Sequence, residues 1–277
     1  MNFLLGVGAQ RCGTTWIHHY LEQHPAVFIS PYKELHVFDV MFAPQMSGQT
    51  REKRFERLHL LLDKILRGEP VDRGALTIAL ERYELSLGEN AYLAYFRRYL
   101  RPEHRVMGEI TPSYSLIPAS GFRFVRDFLV KQNLKPKVVF VMRDPVERMY
   151  SQLRLNQYMG VAQVKDAYAS ALSTPGIMLR TRYDLTLANL ESEFQPDELL
   201  VLFYEELFQA GALESICRFL DIDVRPADFS ARVNYAPDAG EIDPDFRRAA
   251  RERLDVVYEF CASHFGRDRL RALWKCF

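Results

Sequence analysis

The sequence predicts an α/β fold: a single domain with a central parallel sheet flanked by helices and a phosphate-holding loop behind the first strand. Three observations carry that expectation. Short apolar runs alternate with segments of helical periodicity along most of the 277 residues. The runs are apolar at consecutive positions, as strands covered on both faces require. The first run leads straight into GAQRCGTT (residues 8–15), where glycines and hydroxyls sit between a predicted strand and a predicted helix.

The predicted strands are FLLGVG (3–8), AVFI (26–29), RVMGEI (105–110), KVVFVM (137–142) and ELLVLFY (198–204). Helices are predicted over 15–23, 51–68, 120–133 and 145–158, each with an apolar stripe and a polar face, and one long last helix over 245–265. ALSTPG (171–176) and NYAPDAGEIDPD (234–245) read as loops. No composition shift marks a boundary, so residues 1–277 form one domain, with 42–100 as a helical insertion. Strand–helix alternation implies parallel strands, and in such folds ligands sit at the carboxyl ends of the strands. The loops after residues 8, 29, 110 and 142 are therefore the expected site.

Composition narrows the partners. Lys+Arg and Asp+Glu both total 36, which gives no sign of bulk nucleic-acid binding. The first residues, MNFLLGVGAQR, lack a basic start and a long apolar run, so no signal peptide is expected. No stretch of about 18 apolar residues predicts a transmembrane helix. The cysteines, Cys12, Cys217, Cys261 and Cys276, lack metal-like spacing. Reduced thiols in a cytoplasmic protein are expected, with a Cys261–Cys276 disulfide as the alternative.

Residues 8–15 fit G-x-x-x-x-G-T-T. Glycines let backbone N–H groups form a concave anion nest, and the helix N-terminus behind it adds a favourable dipole. Thr14 and Thr15 add hydroxyl donors. A nucleoside-triphosphatase loop carries lysine where this chain has Thr14; here Arg11 puts a planar, permanently charged fork inside the loop. A glycine turn with a solvent-facing Arg11 would give the same pattern. VVFVMRDPVERMYSQ (138–152) repeats the plan: a strand ends at Arg143, Asp144 caps the next helix and Pro145 suits its first turn. Arg143 and Ser151 are expected to converge near that helix start, and Arg148 to pair with a neighbouring acidic residue. Two anion sites at neighbouring strand ends suit a ligand with phosphates at both ends, which ordinary ATP does not need.

GAQRCGTTW (8–16) resembles the 5′-phosphosulfate loop of the sulfotransferase family, and FVMRDPVERMYSQ (140–152) its 3′-phosphate motif, R-D-P-x-x-R-x-x-S. The resemblance runs from about residue 3 to 208. It implies the donor 3′-phosphoadenosine 5′-phosphosulfate (PAPS), with PAP as product and no metal. Its donor-binding positions fall on Arg11, Cys12, Gly13, Thr14, Thr15, Trp16, Arg143 and Ser151. SPYKELHVFD (30–39) resembles the K-E-x-H-F-F-D segment of the carbohydrate sulfotransferases. That makes Glu34 the general base, with His36 and Asp39 in support, Lys33 beside the donor or acceptor, and His36 as the runner-up base. GEITPSYS (108–115) resembles the family's G-E-x-S-P-x-Y segment. Glu109, Ser113 and Tyr114 would line the acceptor or support the base, and simple packing is the alternative for Tyr114. ELLVLFYEELF (198–208) looks like a structural strand and turn.

Two departures stand out. The loop position usually held by Lys is Arg11, which would stabilise charge on the bridging oxygen rather than donate a proton. ARVNYAPDAG (231–240) replaces the family's late donor-binding loop, leaving Arg232 and Asn234 as candidates. The acceptor is expected to be a hydroxyl on a glycan, lipid, polyketide or other small molecule. The Arg- and Tyr-rich helices of 42–100, including AYLAYFRRYL (91–100), are expected to cover it. The other readings are a phosphate-loop nucleotide kinase and a nucleotide-binding module without catalysis.

Overall fold

Phe3, Leu4 and Leu5 follow one another in sequence and are all at most 1% exposed, which a strand allows only when both its faces are covered. A computed structural model describes residues 1–47, 50–230 and 240–277. Five strands, β1 (Asn2–Gly8), β2 (Val27–Ile29), β3 (Val106–Ile110), β4 (Lys135–Met142) and β5 (Leu199–Phe203), form one parallel sheet in the order β2-β3-β1-β4-β5. The helices up to β4 are α1 (Thr14–Glu22), α2 (Phe38–Phe42), α3 (Pro44–Ser47), α4 (Arg51–Leu66), α5 (Arg73–Glu84), α6 (Glu89–Tyr99) and α7 (Ala119–Lys131). After β4 come α8 (Pro145–Tyr158), α9 (Tyr168–Ala171), α10 (Pro175–Leu179), α11 (Tyr183–Glu193), α12 (Tyr204–Leu207), α13 (Ala210–Leu220), α14 (Pro244–Arg253), α15 (Asp255–Phe265) and α16 (Arg267–Leu273).

Each predicted strand forms. The expected single helix over 245–265 is instead two, α14 and α15, which break at Leu254. The apolar stripe runs unbroken through Phe246, Ala250, Leu254, Val257, Tyr258 and Cys261, all buried, so no pattern in the sequence marks the break. From α15 the Tyr258 hydroxyl donates to Asp144 Oδ1 at 2.7 Å, and Cys276 N donates to Asp144 Oδ2 at 2.7 Å. Asp144 also caps α8, accepting from Val146 N at 3.0 Å, so one buried carboxylate ties the helix start to the chain's end. All four cysteines are free and buried, which removes the Cys261–Cys276 disulfide.

Order β2-β3-β1-β4-β5 puts the reversal of winding at β1, between β3 and β4. The loops that follow β1, β2, β3 and β4 therefore meet at one edge, the crevice where such sheets bind ligands. Among the described residues, no helix is long and apolar enough to cross a membrane.

Candidate active site

The loop after β1 is built to expose backbone donors. Arg11 (φ 68) and Gly13 (φ 80) are both left-handed. At Gly13 a Cβ would lie 2.5 Å from Leu207 Cδ2, so glycine suits both the turn and the contact with α12. The first turn of α1 bonds back to the loop only through Trp16 N and Ile17 N, which donate to Gly13 O. The N–H groups of Cys12, Gly13, Thr14 and Thr15 have no acceptor among the described residues, as helix N-termini leave them.

Arg11 Nε donates to Ser151 Oγ at 3.2 Å, joining the first motif to the second. Arg143 lies over the Tyr204 ring at 4.5 Å and donates to Glu147 Oε2 at 3.2 Å. Burial, and then the nearby Arg143 charge, pull the Arg11 pKa below its ordinary value. Arg11 is thus near enough to Arg143 to feel its charge and is itself bonded to Ser151, while Arg143 bonds Glu147. Tyr204 and Leu207, in the stretch expected to be only structural, form the floor under Arg143 and Gly13. No periodicity reveals that role; it depends on β5 lying beside β4.

Two predicted donor residues turn inward. Cys12 is fully buried, its Sγ lies near Gln10 O and Tyr183 Oη, and burial pushes its thiol up to about 12. Only its backbone faces the crevice side of the chemistry. Trp16 is 4% exposed, stacked between Tyr20 and Phe229, with Nε1 donating to Asp228 O at 3.2 Å. It heads a cavity of about 430 Å³ along the outer flank of α1, lined also by His19, Tyr20, Gln23 and Arg225. None of the loop cations lines that cavity. The expected ion pair of Arg148 is absent: Arg148 is fully buried, and its Nη2 donates to Ile177 O at 3.1 Å. Its Nε and Nη1 have no partner among the described residues. Burial lowers its pKa. The helix register that points Ser151 at Arg11 turns Arg148 into the core. Arg232 and Asn234 lie outside the described residues.

The loop after β2 carries the predicted base. Glu34 N donates to Ile110 O at 3.2 Å, anchoring the loop to the end of β3. Lys33 Nζ donates to Glu34 Oε1 at 3.0 Å, and His36 Nε2 lies 3.5 Å from Glu34 Oε2. On the other side, His36 Nδ1 donates to Asp39 Oδ2 at 2.7 Å, with Asp39 wholly buried. Burial alone would push the Glu34 carboxyl up; the His36 hydrogen bond and the Lys33 ammonium outweigh it and hold the group at about 2. Burial would likewise lower His36, but Asp39 and Glu34 outweigh it and raise the imidazole to about 9. At neutral pH the row is carboxylate, imidazolium, carboxylate.

Glu109 and Tyr114 support this loop rather than line a cavity. Glu109 is buried and accepts from Tyr92 Oη (2.7 Å), Tyr114 Oη (2.7 Å) and Thr111 Oγ1 (2.6 Å). Tyr114 Oη in turn accepts from Val37 N at 3.1 Å, just past His36. Ser113 is also buried. The segment 42–100 is helical, but Tyr92 and Tyr95 of α6 are fully buried, with Tyr95 Oη 2.9 Å from Ser30 Oγ. The tyrosines of 91–100 that were expected over an acceptor therefore lie mostly beneath the sheet and the base loop. Among the described residues, no group of His, Cys, Asp and Glu is arranged to hold a metal ion.

The structure is a five-stranded parallel sheet flanked by helices, with a glycine-bearing loop after β1 and Arg143 just past the end of β4. The chain belongs to the sulfotransferase family, which matches residues 4–226. That match continues past residue 208, where the motif resemblance ends. The fold is similar to the sulfotransferase from Alicyclobacillus acidocaldarius, at 20% identity and a TM-score of 0.64 over 95% of each chain. It is also similar to the sulfotransferase domain of the Synechococcus PCC 7002 olefin synthase, at 20% identity and a TM-score of 0.51, covering 90% of this chain and 82% of that one. No curated protein matches in sequence.

Proposed function

We propose that the protein moves the sulfuryl group of PAPS to an acceptor hydroxyl, with Glu34 as general base. One observation carries the reading: Arg11, bonded to Ser151, lies within the electrostatic reach of Arg143 at the end of the neighbouring strand. Like charges held this close raise each other's energy, and an anion between them relieves it. The free N–H groups of residues 12–15 supply donors for the phosphosulfate, and Arg143 with Ser151 supplies the 3′-phosphate end. Family membership gives the kinase reading no support of its own, and Thr14 stands where a kinase loop needs lysine.

In the transfer, the acceptor oxygen bonds to sulfur as the bond from sulfur to the bridging oxygen breaks. The electron pair stays on the 5′-phosphate of PAP, and the hydroxyl proton goes to Glu34. Arg11 and the loop N–H groups stabilise the charge on the leaving phosphate. A carboxyl held at about 2 is always ionised but weakly basic. It therefore takes the proton only as sulfur–oxygen bonding acidifies the hydroxyl. His36 is charged at neutral pH and has no site for that proton, so it serves Glu34 rather than replacing it. The acceptor is a hydroxyl of a glycan, lipid, polyketide or other small molecule, and the exposed parts of the 42–100 helices are where it would be selected.

Calorimetry with PAP and ADP tests the donor. PAP is expected to bind at least tenfold more tightly, and Arg143→Ala to remove most of that preference. ADP binding as tight as PAP would sink the reading. Conversion of PAPS to PAP across a panel of hydroxylated acceptors then tests the transfer.

A further inference from the structure

Helix α4 exposes its other cationic side chains, Arg51, Lys53, Arg57 and Lys64, while Arg54 is 7% exposed. Its guanidinium meets no carboxylate. Nη2 donates to Leu35 O and His36 O, both at 2.6 Å, and Nη1 donates to Arg82 O at 2.9 Å. Two of those three carbonyls lie in the base loop, where Glu34 (φ 64) and His36 (φ 53) are both left-handed without being glycine. Such residues are strained when they are not glycine. Hydrogen bonds from a charged donor are stronger than neutral ones and oppose that strain. Arg82 Nη2 reaches Lys33 O at 3.4 Å, so the α4–α5 hairpin holds the loop at a second point.

We propose that Arg54 is the positioning residue of the catalytic loop: its fork, Nη2 on the Leu35 and His36 carbonyls and Nη1 on Arg82 O, fixes the two left-handed residues that aim Glu34 and line it up with His36 and Asp39. That the loop is catalytic rests on the reading of Glu34 as base. The fork geometry is the working part. A lysine would put one point charge where Arg54 spans three carbonyls on two elements, so charge alone does not substitute. The consequence is a coupling: whatever moves α4 moves the base. The hairpin and the base loop thus form one unit, independent of the phosphate loop, to which Arg54 makes no bond among the described residues.

The experiment reads the His36 ring by NMR in full-length Arg54→Met and Arg54→Lys, beside PAP affinity by calorimetry. The groups facing His36 are Glu34 and Asp39; Lys33, Arg82 and Arg180 act on Glu34, and Arg54, Arg180 and Glu109 act on Asp39. With the loop released, the titration midpoint of His36 is expected to fall by more than one pH unit in both variants, with PAP affinity changed less than twofold. Arg82→Ala, which removes the 3.4 Å bond and a cation acting on Glu34, is expected not to lower that midpoint. A folded Arg54→Met with an unshifted His36 overturns the proposal, and so does an unshifted Arg54→Lys should the methionine variant fail to fold. The base reading fails separately, by Glu34→Gln converting PAPS to PAP at the wild-type rate. The His36 titration still judges Arg54 in that case.

Discussion

In the proposed transfer Glu34 is the side chain on which the chemistry turns, and its neighbours set its state. Glu34→Gln keeps the shape and removes the proton acceptor. Sulfuryl transfer is expected to drop by about 10²–10⁴-fold with PAP affinity nearly unchanged, measured by PAP release and calorimetry. Loss of PAP binding in the same variant would instead point to a module that only binds nucleotide. Because the carboxyl is held at about 2, no activity loss from Glu34 is expected as pH falls from 7 to 4. His36 gives the opposite limb. Its folded value of about 9 lies above the ordinary 6.5, so its stabilisation is complete below about pH 6.5 and is lost as pH rises through about 9. The thermal midpoint should fall across that window, by an amount equivalent to ~3 kcal/mol at most. Asp39→Asn should flatten the slope. A wild-type profile flat from pH 6.5 to 9.5 would show that His36 is not held between the two carboxylates.

The loops after β2 and β3 act as one element because a tyrosine joins them. Tyr114 Oη donates to Glu109 and accepts from Val37 N. Tyr114→Phe leaves that amide without its partner and Glu109 Oε1 with Tyr92 alone, and is expected to cost about 1–3 kcal/mol, read by chemical unfolding. A variant as stable as wild type would mean the ring alone does the packing. At this level the sequence was partly legible. The turn chemistry of 8–15, the Asp144 cap and the Lys33–Glu34–His36 cluster are local, and they lie where local signals put them. Arg148 was misjudged because its direction depends on which face of α8 meets α10, a matter no i,i+4 pattern fixes. Arg54 was missed for the same reason: one arginine on a charged helix looks like the rest until the helix is docked.

The sheet order brings all of this to one edge, and it rests on close strand contact. Gly108 in β3 pairs with Leu4 in β1, and a Cβ there would lie 2.1 Å from Leu4 O. Backbone cannot give way as a side chain can, so Gly108→Ala is expected to cost more than about 4 kcal/mol or to prevent folding. Soluble expression with a near-wild-type melt would show that β1 and β3 can separate there. Because β1 lies between β3 and β4, that pairing also holds the phosphate loop between the base loop and Arg143. Damage in the middle of the sheet should therefore weaken donor and acceptor chemistry together.

Five apolar runs, the glycine-bearing loop, the arginine at the end of the fourth run and the acid–histidine cluster were fixed by residue type and spacing, since buried strands, anion nests and capped helices each have local requirements. The sequence alone therefore set the class of fold and the candidate residues of the site. Tertiary packing decided the rest: that Arg11 bonds Ser151, that Tyr204 floors Arg143, that Tyr92 and Tyr114 serve Glu109 rather than an acceptor, and that Arg54 grips the base loop. Those facts join residues from 5 to 140 positions apart, and the docking of elements on the sheet brings such partners within hydrogen-bond reach.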